Sequence, residues 1–83
     1  MTIHDAKKQV ALALCKARTD VKLVRQYEPM YMLSEARFRR LVAREASQIL
    51  DVSADDEPLS CFMRIEMQCA IKNAYAVLVS EFN

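Results

Sequence analysis

Arg37, Arg39, Arg40 and Arg44 crowd into one short stretch, and their spacing is the most suggestive chemistry in the chain. On a helix, Arg37, Arg40 and Arg44 stand at i, i+3 and i+7, so three guanidinium groups line one flank with Arg39 alongside. Guanidinium makes planar, bidentate contacts with carboxylate and phosphate that ammonium cannot match. The stripe therefore suits docking to an acidic protein or to nucleic acid. The competing reading is a solvated helix face, partly neutralised by Glu45 and by the acids that follow it.

Other reactive residues combine poorly. His4 is the single histidine and lies at the amino end, where chains fray. Cys15 shares a helix face with it, but eleven residues at ~1.5 Å rise separate them by roughly 16 Å, far beyond hydrogen-bond reach. Glycine is absent, so no glycine-rich phosphate loop is possible. Asp55, Asp56 and Glu57 crowd a linker and read as a solvated acidic run ahead of a helix. Zinc sites present ligands in close pairs, whereas Cys15, Cys61 and Cys69 are widely spaced, the last two about 12 Å apart on a helix. These patterns imply no catalytic residue, no metal and no cofactor. The three cysteines are expected to act as small core hydrophobes in a reduced, cytoplasmic protein.

Met30, Met32, Met63 and Met67 allow two readings, a deformable peptide-binding surface or plain core filling, and core filling is favoured. The aromatics Tyr27, Tyr31, Phe38, Phe62, Tyr75 and Phe82 fall mostly on core faces, which leaves base stacking unsupported. A sequence pI near 7.7 is also low for a nucleic-acid-binding domain.

These residues must be held by a small frame. Eighty-three residues make a single domain over 1–83, and 53% of them are apolar. The lack of glycine and the presence of only two prolines remove tight hairpins and favour an all-α fold. Charge divides by position: residues 1–44 carry ten basic against four acidic side chains (+6), and residues 45–83 carry two against seven (−5). Met1 to Asp5 lacks the basic and apolar regions of a secretory signal, and no apolar run approaches the ~20 residues of a membrane span.

Pro29 and Pro58 cut the chain into three helical segments, expected at about 3–27, 35–50 and 58–82. Thr2 with Asp5 forms a capping-box pattern, and Thr19-Asp20 is a point where the first helix could bend or divide. Ser34 is the expected N-cap of the second helix, stapled by Leu33 and Phe38. The third helix carries a main stripe from Met63 to Phe82. A second stripe of Phe62, Ile65, Cys69, Ala76 and Val79 lies beside it. So much apolar circumference makes this helix central, in a three-helix domain completed by self-association or by a partner. Phe38 to Val42, a loop and one long apolar helix resemble the outline of the first two helices of a histone fold. That outline is common to many helix–loop–helix proteins and assigns no family.

The reading is a non-enzymatic protein-interaction module: an adaptor, chaperone-like subunit or inhibitor of a larger assembly, with a homodimer possible. Its expected partner contacts are Arg37, Arg39, Arg40, Arg44, Met63, Met67 and Ile71. The alternative is a nucleic-acid-binding regulator using Lys7, Lys8, Arg37, Arg40 and Arg44.

Overall fold

The computed structural model describes residues 2–82, except the side chain of Ser53. Among these residues the chain is all-α, with four helices: α1 (Ile3–Tyr27), α2 (Glu35–Glu45), α3 (Ser47–Ser53) and α4 (Glu57–Phe82). Their packing makes a rod of 41 × 18 × 18 Å.

Each main helix starts where capping chemistry places it. The Asp5 amide donates to Thr2 Oγ1 at 3.2 Å, and the Asp5 carboxylate accepts the Thr2 amide and hydroxyl in return. The Arg37 amide donates to Ser34 Oγ at 3.1 Å, which starts α2. Asp56 caps α4 by accepting the Leu59 amide at 3.1 Å, one residue earlier than the Pro58 boundary suggests.

Helix breaks fall elsewhere than expected. Thr19 does not divide α1, because its hydroxyl donates to the Cys15 carbonyl at 3.0 Å and stays inside the helical ladder. The expected second helix, by contrast, divides at buried Ala46, whose φ of −95° and ψ of 8° leave the helical region. The turn redirects α3 onto α4 while keeping Ile49 in the core. Alanine is the best helix former, so packing rather than local preference sets this bend. The acidic linker contracts accordingly, since 51–53 belong to α3.

Helices α1 and α4 run parallel and α2–α3 returns antiparallel to both. Lys7 lies against Phe62 near their starts, and Arg25 against Phe82 near their ends. Helix α4 touches all three others. The core gathers Ala6, Val10, Ala13, Ala17 and Val21 of α1 with Phe38 and Val42 of α2 and the Leu59–Leu78 stripe of α4. Small alanines on α1 let its backbone approach closely, and Phe38, Met63 and Leu78 fill the volume between. The second α4 stripe is different: Ile65, Cys69 and Ala76 are exposed, and Phe62 and Val79 are half-buried. No described helix is long and apolar enough to cross a membrane.

Candidate docking surface

Burial of Phe38 and Val42 against α1 and α4 fixes the rotation of α2, and that rotation sends Arg37, Arg40 and Arg44 outward. The three arginines line one shallow depression together with Tyr31 and Leu41. The Arg37 guanidinium lies over the Tyr31 ring, 5.8 Å from its centroid, within cation–π range. Among the described residues, none of the three has a carboxylate within 4.0 Å. Glu45 lines a separate depression with Cys15, Lys16, Thr19 and Asp20, so the expected local neutralisation is not made as an ion pair.

Arg39 departs from the stripe. Its guanidinium reaches back one turn to Glu35 at 3.4 Å, an exposed i, i+4 pair. Lys7 sits over Phe62 at 5.7 Å, near the start of α1, whereas Tyr31 and Arg37 lie beyond its end. Twenty residues of helix at ~1.5 Å separate those ends by roughly 30 Å. Lys7 and Lys8 therefore do not join the arginines in one compact site.

The apolar half of the expected surface needs correction. Met63, Met67 and Ile71 are 0%, 8% and 2% exposed and belong to the core, so no partner reaches them in this fold. The methionine set splits: Met30 and Met32 are 89% and 82% exposed on the connector between α1 and α2, and Tyr27 before them is 81% exposed. The cysteines are corrected as well. Cys15, Cys61 and Cys69 are all free thiols on the surface, because each falls on the face of its helix opposite the buried stripe.

Tyr31 is the residue that sequence reasoning overlooked. Its amide closes a turn by donating to the Glu28 carbonyl at 2.9 Å, which carries the ring to the head of the arginine stripe. The same residue also lines a second depression with Arg25, Met32, Leu33, Tyr75, Val79 and Phe82. There the Tyr75 hydroxyl donates to the Leu33 carbonyl at 3.1 Å. Arg25 donates to the Phe82 carbonyl at 3.0 Å and stacks on its ring at 4.1 Å. A tyrosine next to a proline turn offers no periodic signal, so only tertiary placement reveals this role.

Among the described residues, no three His, Cys, Asp or Glu side chains gather as metal ligands. Models of known protein families, curated proteins and solved structures yield no match to this chain.

Proposed function

We propose that the chain is a non-enzymatic protein-interaction module, an adaptor or regulatory subunit, that docks an acidic protein partner on the α2 flank. The observation that carries this reading is the set of three exposed arginines along one depression, none satisfied by a carboxylate among the described residues. Guanidinium groups aligned in this way favour several carboxylates at once.

Charge by itself is too weak to hold a partner. Exposed ion pairs contribute about 0.2–1 kcal/mol each, so three supply about 0.6–3 kcal/mol. Association costs at least about 4 kcal/mol in lost freedom. Apolar contact must supply the remainder, and the exposed connector beside the stripe offers it.

The test compares tagged wild-type protein with an R37E/R40E/R44E variant by affinity capture from the native host and mass spectrometry. The arginines are exposed, so the variant is expected to keep its helical circular dichroism. An acidic protein lost by the variant and weakened by salt supports the reading. Retention of every partner by the folded variant rejects it. Steeply salt-dependent binding to random DNA would assign the stripe to nucleic acid instead.

A further inference from the structure

The basic depression and its apolar neighbour share one wall, Tyr31. On one side of the ring stand Arg37, Arg40 and Arg44. On the other lie Met32, Leu33, Tyr75, Val79 and Phe82, half-buried except for Met32 at the rim. Two polar groups of the apolar side, the Tyr75 hydroxyl and the Arg25 guanidinium, are already engaged with backbone carbonyls. What that depression presents is therefore mainly hydrocarbon and ring surface. Met32 is unbranched and exposed, so its side chain can adapt its shape to an incoming one.

We infer that the two depressions form one composite site for an acidic protein segment with an apolar anchor. Carboxylates of the segment meet Arg37, Arg40 and Arg44, while a neighbouring Leu, Met, Phe or Trp side chain enters between Met32 and Val79. Charge complementarity selects the occupant. The stripe is cationic and lacks an internal counter-ion among the described residues, and the anchor supplies the affinity that exposed ion pairs lack. The inference rests on the docking function proposed above and adds to it the chemical class of the partner and the residues that read its apolar part.

The probe is a displayed library of random linear peptides, selected on the whole chain at physiological salt. The best binder is then titrated against wild type, R37E/R40E/R44E and M32S/V79T, each variant checked for helicity by circular dichroism. Selected peptides are expected to pair Asp or Glu with a bulky apolar residue, and each variant is expected to weaken binding about tenfold or more, the effect of ~1.4 kcal/mol. If the arginine variant loses binding and M32S/V79T does not, the anchor is wrong while the docking function stands. Failure to select any peptide, or retention of binding by both variants, overturns both. Binding to phosphatidylcholine vesicles containing phosphatidylserine, without any selected peptide, would assign the site to an anionic membrane and overturn the inference as well.

Discussion

Arg39 and Arg40 are neighbours in the chain with opposite fates, because one step along a helix turns a side chain by about 100°. Arg39 reaches Glu35 and Arg40 faces the depression. An R39A variant should therefore leave partner affinity unchanged and cost less than about 0.5 kcal/mol in denaturant unfolding. Asp5 offers a second residue-scale test. Hydrogen bonds from Thr2 hold its carboxyl below the ordinary value of 3.8, the side-chain bond being the larger cause. A group whose folded pKa is lowered stabilises the fold above its unfolded pKa, and that contribution disappears as pH falls through the folded value. NMR titration should find the Asp5 pKa below 3.8 in wild type and higher in T2A. The three surface thiols should all react promptly with a disulfide reagent in the native protein. The capping pair was legible from spacing alone. Thiol exposure was not, since cysteine composition says nothing about which helix face meets the core.

Helix α4 carries its two apolar stripes with very different energetic weight. M63A should cost about 2–5 kcal/mol, because Met63 is fully buried and its removal leaves a cavity. I65A should cost less than about 0.5 kcal/mol, because Ile65 is 59% exposed. Chemical unfolding of both variants checks the pair, and comparable losses would mean that α4 is rotated from the described orientation. The main stripe was readable because helical period and burial agree from Met63 to Leu78. The outward stripe has the same periodicity, so only the count of covering helices could separate the two. The break at Ala46 lay beyond sequence reasoning for a related reason: nothing about alanine announces a turn, and the cause is the fit of α3 onto α4. The alignment of Arg37, Arg40 and Arg44 along one flank was legible from spacing; Tyr31 joins them through an irregular turn after Pro29, and the second depression depends on contacts between residues 42 or more positions apart.

The whole molecule exposes 5874 Å², against about 5,000 Å² for a compact monomer of 9.5 kDa. The rod shape accounts for such a surplus, and it leaves room for a partner to cover one side without disturbing the core. The positional charge division also acquires a physical meaning. Parallel α1 and α4 start at the same end of the rod, where their unpaired amides create positive potential. Asp5, Asp56 and Glu57 stand there, in the first turns or caps of those helices, and answer it. Two of the seven acids in residues 45–83, Asp56 and Glu57, thus stabilise the start of α4, and Glu81 pairs with Lys22 near its end. The basic flank is mixed in its relation to its own helix, since Arg44 in the last turn of α2 agrees with the helix dipole. Arg37 occupies the first turn of α2, where a cation opposes the helix dipole and Glu35 offsets only part of that tension. A carboxylate of the proposed partner beside Arg37 would offset that opposition, so the protein is expected to melt at a higher temperature with such a segment bound than without it.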